Sequence, residues 1–251
     1  MLHAADCILP DWPARKKVRA FFTTRAGGVS QGDLSSLNLG KSVGDDPQAV
    51  AENRRRVAAY AGHAPRWMSQ VHGVEVADLD QIDASQPITA DAAVSRRPGT
   101  VCTAMVADCL PVLFTDRVGS VVAAAHAGWR GLAAGVLEAT ITSMRVAPQN
   151  LMAWLGPAIG PDQFEVGADV FAAFAGSDTA FRPFMAAGVQ KYHADIFALV
   201  RMRLLAAGMR ETRIYGGGVC TVSDPARFFS YRREGKSGKK SGRMAALIYL
   251  D

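Results

Sequence analysis

The chain has 251 residues, 49% of them hydrophobic, with a formal net charge of +5. That length suits one large domain with a sizeable core, and no apolar run reaches the roughly eighteen residues of a membrane span. The positive balance suits an anionic substrate such as phosphate but is too common to imply nucleic acid, so neither nucleic acid nor a membrane is an expected partner.

Met1-Leu2-His3-Ala4-Ala5-Asp6-Cys7 lacks the basic region and apolar core of a secretion signal. The four cysteines, Cys7, Cys102, Cys109 and Cys220, are therefore expected as reduced thiols in a cytoplasm. Nothing in the pattern fixes an oligomeric state.

Strand-like and helical patterns then alternate without repeats or an interdomain linker. Val18 to Thr24 reads as a strand. Asp46-Pro47 reads as a cap followed by proline in the first turn, with Val50, Arg54, Val57 and Tyr60 or Ala61 on one helical face and Gly62 as the stop. Arg66 to Asp78 and Thr100 to Val106 read as strands, as do Pro111 to Phe114 and Ser120 to Ala125. Leu132 to Met144 reads as a helix, Leu151 to Leu155 as a strand, and Asp169 to Ala175 and Ala194 to Ala207 as helices. Ile214-Tyr215, Phe228 to Tyr231 and Met244 to Leu250 close the series as strands. The spacing is too irregular for a strict βαβ series, so the expected fold is a single α/β domain over residues 1–251, a layered α/β sandwich with a mixed sheet flanked by helices.

Residues 234–243, basic, glycine-rich and free of apolar side chains, read as a solvated hairpin loop, or else as a flexible lid bringing positive charge over a phosphate. They do not fit the Walker phosphate-loop frame, and Gly216-Gly217-Gly218 does not open a dinucleotide-binding helix.

Three residues carry the chemistry. His72 lies in Ser69-Gln70-Val71-His72-Gly73, Cys109 in Ala107-Asp108-Cys109-Leu110-Pro111, and His126 in Ala125-His126-Ala127-Gly128-Trp129-Arg130-Gly131. Each sits in a Gly- or Pro-marked loop after an apolar run. Two imidazoles and a thiol make either an open three-ligand metal site or a Cys–His catalytic pair. Soft thiolate plus imidazole selects zinc or copper over magnesium or calcium. No local metal pattern such as Cys-x-x-Cys is present, so the three must converge through the fold.

Arg130 and backbone amides at the following helix start would attract an anion. Arg25 breaks a strand into a Gly-rich loop, with Ser30 and Asn38 close behind; it either braces that loop or grips phosphate or ribose. Arg232 follows two aromatics, Phe228 and Phe229, which read as core. Asp108 and Asp91 are candidate carboxylates for orienting a ligand or shuttling a proton. His3, His63 and His193 lack comparable surroundings and are expected on the surface.

Eight stretches in order carry a resemblance: Thr23-Thr24-Arg25-Ala26-Gly27-Gly28-Val29-Ser30, Leu37-Asn38-Leu39-Gly40, Val43-Gly44-Asp45-Asp46, Gln70-Val71-His72-Gly73, Ala107-Asp108-Cys109-Leu110-Pro111-Val112, His126-Ala127-Gly128-Trp129-Arg130-Gly131, Gly156-Pro157-Ala158-Ile159-Gly160-Pro161 and Phe228-Phe229-Ser230-Tyr231-Arg232-Arg233. Together, from about residue 19 to the C-terminus, they closely resemble the bacterial YfiH-like family, also named for multicopper polyphenol oxidase or laccase domains. The resemblance implies zinc held by His72, Cys109 and His126. It also implies phosphorolysis of adenosine, inosine and methylthioadenosine with phosphate, accompanied by adenosine deaminase activity.

The oxidase name can be tested on composition. A multicopper centre needs many histidines, often as His-x-His pairs, and this chain has five histidines and no such pair. One copper in the same three-ligand site remains open to it, since copper outcompetes zinc for nitrogen and sulfur, and could give weak phenol oxidation. The competing reading is a metal-free hydrolase or amidase, with Cys109 as nucleophile and His126 or His72 as its base, an activity the resemblance connects with editing of peptidoglycan precursors. A structural zinc is disfavoured because a closed site normally has four protein ligands.

Overall fold

A computed structural model describes residues 2–251. In chain order its strands begin with β1 (Cys7–Ile8), β2 (Val18–Thr23), β3 (Met68–Ser69), β4 (Val76–Asp78), β5 (Ile88–Thr89), β6 (Ala92–Ser95), β7 (Cys102–Val106) and β8 (Leu110–Asp116). There follow β9 (Val122–Ala127), β10 (Leu151–Leu155), β11 (Glu165–Val166), β12 (Phe181–Ala186), β13 (Val189–Ala194), β14 (Ile214–Gly216) and β15 (Met244–Leu250). The helices are α1 (Pro47–Ala61), α2 (Trp129–Ala134), α3 (Val136–Met144), α4 (Ala168–Ala173), α5 (Ile196–Ala206) and α6 (Tyr231–Lys236).

Two sheets form the body, one ordered β1-β2-β15-β7 and the other β14-β10-β8-β9-β6-β4. The second is mixed: β10 with β14 and β4 with β6 are parallel, and its other pairs antiparallel. Period-2 alternation shows how they stack. Leu113, Val122, Ala124, Ala93, Phe22, Ala246 and Ile248 share one core, between the sheets. Their chain neighbours point the other way. Val112, Phe114, Ala123, Ala125 and Val94 pack under α3 and α5, while Phe21, Ala245 and Leu247 pack with Val57 and Ala61 of α1. The strands at the centre are buried on both faces, which is why they read as continuous apolar runs rather than alternating ones. The result is a helix–sheet–sheet–helix sandwich, an α/β fold with a mixed sheet.

Helix α1 forms where the sequence signals it: the Asp46 side chain accepts from the Gln48 N–H, proline occupies the first turn, and Gly62 stops the helix at φ 76°. Several other expectations change. The strand read over Arg66 to Asp78 is broken into β3 and β4, and the intervening loop carries His72. The helix read over Leu132 to Met144 becomes α2 and α3, divided at Gly135 with φ 106°. Phe228 to Tyr231 is not a strand; its two phenylalanines are buried core and Ser230 caps α6. Nor are residues 234–243 a free loop. Glu234 is buried, accepting from the Ser230 N–H at 2.6 Å, and the start of the segment is helical. Ser241 and Gly242 are buried, and a Cβ at Gly242 would meet the Phe229 ring at 2.7 Å. The hairpin β12–β13, absent from the sequence reading, turns at Ala187-Gly188 with both φ angles positive.

Candidate metal centre

Three adjacent strands converge on one point. Because β8 and β6 run antiparallel to β9, the starts of β8 and β6 lie beside the end of β9. Cys109 directly precedes β8, Asp91 directly precedes β6, and His126 lies near the end of β9. The His126 N–H donates to the Asp91 carbonyl at 2.7 Å, which ties the two ends together.

His72 reaches the same point from the loop between β3 and β4. Its φ of 60° is unusual for a residue with a side chain. The Asp91 carboxylate holds it there, accepting the backbone N–H groups of Val71, His72 and Gly73 at 3.0, 2.9 and 2.8 Å. Gln70 adds a second anchor, its amide exchanging hydrogen bonds of 2.8 and 2.7 Å with the Met105 backbone.

One ligand atom from each of His72, Cys109 and His126 lies within 4.8 Å of the others. Cys109 Sγ is 3.9 Å from His72 Nε2; a tetrahedral zinc would separate its sulfur and nitrogen ligands by about 3.6 Å. His126 Nδ1 faces Asp91 Oδ1 at 2.8 Å, so Nε2 is the nitrogen left for a metal, the usual carboxylate–histidine arrangement. Gly128 closes the cradle: a Cβ there would meet His72 Cδ2 at 2.7 Å and Cys109 Sγ at 3.1 Å. The donor set and its spacing fit a soft, open, three-ligand metal site.

The electrostatics agree. Burial pushes the Cys109 thiol up, yet the charge and hydrogen bond of His126 and those of His72 outweigh it and bring the pKa down to about 6. Burial would lower His126, but the Cys109 charge and the Asp91 hydrogen bond raise it to about 9. Asp91 is held below its usual range: burial opposes ionisation, and hydrogen bonds from His126, Gly73 and Val71 more than offset it.

The centre opens into a cleft of about 1220 Å³. Its walls include Arg130 together with Lys41, Arg54, Arg66, Tyr231 and Arg243; the last five carry no local motif that marks them as site residues in the sequence. His63 lines the same cleft and is half-buried rather than freely exposed. Arg25, Ser30, Asn38 and Arg232 do not line it. The Arg25 guanidinium donates to the carbonyls of Ser35, Pro225 and Asp33 and lies over the Phe229 ring. Ser30 and Asn38 both donate to Asp45 Oδ2 inside the loop. Arg232 Nη1 donates to the Gln163 carbonyl. The Asp108 carboxylate accepts from Thr221 Oγ1 at 2.5 Å, Arg232 N at 2.7 Å and Ser230 Oγ at 3.0 Å, so it ties the 221–232 segment beside Cys109. Burial raises its pKa against those bonds.

Residues 19–251 match the family described as multi-copper polyphenol oxidoreductase laccase. The chain belongs to this laccase-like family. Relatives within it include a protein of Pseudomonas aeruginosa, 53% identical over 97% of this chain and 98% of its own length, named as a purine nucleoside phosphorylase. An Escherichia coli relative, named purine nucleoside phosphorylase YfiH, is 50% identical over 97% of this chain and 98% of its own. A crystal structure of a Neisseria meningitidis protein, 48% identical, superposes with a TM-score of 0.91 over 98% of this chain and 99% of that one. A Bacillus licheniformis YfiH structure, 30% identical, gives 0.89 over 100% of this chain and 98% of that one. Among the described residues of this laccase-like chain no helix is long and apolar enough to cross a membrane, and all four cysteines are free.

Proposed function

We propose that this chain is a zinc-dependent purine nucleoside phosphorylase, cytoplasmic, acting on adenosine, inosine and methylthioadenosine with phosphate, and with an adenosine deaminase side activity. The reading is carried by full-length relatives of that name combined with an open His-Cys-His centre at the end of a cationic cleft.

In phosphorolysis the glycosidic bond breaks with its electron pair on the purine. A phosphate oxygen bonds the anomeric carbon, and a proton passes to the departing base. His72, Cys109 and His126 would hold zinc, which supplies Lewis acidity at neutral pH; copper fits the same donors. Asp91 fixes the His126 tautomer and the His72 loop. Arg130 adds positive charge in the cleft for the anion, and Trp67, Met68 and Ile88 contribute apolar surface to its wall.

A second reading rests on one distance and its electrostatics. With Cys109 Sγ 3.9 Å from His72 Nε2, and a thiol that ionises near 6, the same residues form a thiolate–imidazole pair suited to amide hydrolysis.

Metal analysis of the purified protein, with an inosine assay on wild type and Cys109→Ala, separates them. The expected result is about one zinc per chain, and hypoxanthine released only when phosphate is present and lost in the variant. Metal-free protein active on an amide substrate would overturn the proposal.

A further inference from the structure

The cleft carries more positive charge than a nucleoside requires. Lys41, Arg54, Arg66, Arg130 and Arg243 line it, with no Asp or Glu side chain among the described residues of its wall. Two of these cations are committed to the protein. Arg54 gives Nε and Nη2 to the Leu39 carbonyl and lies over Trp67. Arg66 donates to the carbonyls of Ile82 and Asp83. Lys41 and Arg130 are exposed, the latter lying over its neighbour Trp129.

Arg243 differs from all four. It is half-buried, and its Nη1 is fixed by the carbonyls of Ser241 at 2.8 Å and Gly242 at 3.1 Å. Nε and Nη2 make no hydrogen bond among the described residues. Its seat is built by Asn38 and Gly40. The fully buried Asn38 accepts the Arg243 backbone N–H on Oδ1 at 2.9 Å, while its Nδ2 is anchored on Asp45 and the Gly40 carbonyl. A Cβ at Gly40 would meet Arg243 Cγ at 2.8 Å and Cβ at 3.2 Å, so only glycine leaves the stem its place. The guanidinium is also close enough to Cys109 and Asp108 to be influenced by their charge, although burial is the larger effect and lowers its pKa.

We propose that Arg243 forms an oxyanion site, its Nε and Nη2 receiving the phosphate of the reaction proposed above, with Asn38 and Gly40 as its positioning residues. Two adjacent guanidinium N–H groups present a fork that matches two oxygens of one tetrahedral anion. The site rests on the phosphorylase reading for the identity of the anion, and on geometry for its place. Asn38, a candidate substrate contact from its place in the sequence, acts here one step removed, through the arginine it seats.

The protein as purified is titrated with inorganic phosphate by calorimetry, wild type against Arg243→Ala, Arg243→Lys and Gly40→Ala, with metal content measured for each. Arg243→Ala is expected to weaken phosphate binding by about tenfold or more at unchanged metal content. Arg243→Lys recovers part of that loss, because it keeps the charge and not the fork, and Gly40→Ala weakens binding by displacing the stem. Phosphate affinity in Arg243→Ala within about twofold of wild type, or a wild type that binds no phosphate, overturns the site. Should Arg243→Ala fail to fold, wild-type affinity in both remaining variants has the same consequence. Phosphate held through Arg243 by a protein that releases no base from inosine leaves this site standing and removes the phosphorylase reading. Phosphorolysis with an unchanged phosphate KM in Arg243→Ala does the reverse.

Discussion

One oxygen of Asp91, Oδ1, lies 2.8 Å from His126 Nδ1 and 2.9 Å from the backbone nitrogen of His72. A single buried carboxylate thereby sets the ring orientation of one candidate ligand and the backbone conformation of another. Its second oxygen accepts from Val71 and Gly73, so all its acceptor capacity faces the loop and the imidazole. The two histidine rings meet edge to face with centroids 4.8 Å apart, close enough for both imidazoles to reach one metal.

Asp91→Asn tests that dependence. An amide can replace one carboxylate oxygen as acceptor, but its NH2 then opposes N–H donors on the other side. Zinc affinity is expected to fall by about 10- to 100-fold, measured by competition with a chelating dye. An Asn variant that retains wild-type affinity would show that His72 and His126 are held without Asp91.

Gly128→Ala addresses the cradle itself. The added methyl would stand 2.7 Å from His72 Cδ2 and 3.1 Å from Cys109 Sγ, and neither ring nor thiol can yield without leaving the site. Overpacking of this kind costs about 1–3 kcal/mol, so the protein should fold with a lowered Tm and lose most of its metal. Full metal content in a folded Gly128→Ala protein would place the ion elsewhere.

The thiols provide a pH test in protein stripped with chelator. Cys109 ionises near 6, because the charges of His126 and His72 outweigh the burial that raises it, whereas Cys7 is pushed up to about 12 by burial and by Asp6. A depressed thiol pKa means the nucleophilic thiolate is present above that value and vanishes below it. Iodoacetamide labelling of Cys109 should therefore rise through pH 6 and level off by about pH 7.5, with Cys7 unlabelled throughout and added zinc protecting Cys109. A Cys109 midpoint near that of a free thiol, about 8.5, would contradict the imidazole environment described.

Much of this was legible in the sequence for a physical reason: two of the three candidate ligands, Cys109 and His126, sit at strand ends. Apolar runs end abruptly at Cys109 and His126, and the Gly- and Pro-marked turns beside them are local signals that need no tertiary knowledge. The α1 cap, with Asp46, Pro47 and Gly62, is equally local. Strand order is not, and only the antiparallel placement of β6 and β8 about β9 brings Asp91 and Cys109 to His126. Arg243 was hidden for the same reason. It reads as the last charge of a basic, glycine-rich stretch, and its environment is made by Asn38 and Gly40 more than two hundred positions away. Arg25 is the converse case: a charged side chain beside paired glycines leaves bracing and anion binding both open, and its carbonyl partners favour bracing.

Arg25→Ala follows from that contrast. The guanidinium closes a loop by donating to Ser35 at 2.8 Å, Pro225 at 3.1 Å and Asp33 at 3.3 Å, and its plane covers Phe229. Removing it leaves three carbonyls to find water and uncovers an aromatic face, a loss of about 1–3 kcal/mol. The urea midpoint should drop accordingly. Phosphate affinity should stay at the wild-type value, because the bracing contacts lie outside the cleft that Arg243 enters. A variant of unchanged stability but weakened phosphate binding would move Arg25 from the scaffold into the site, and would require the 25–36 loop to open in solution far enough to release those carbonyls.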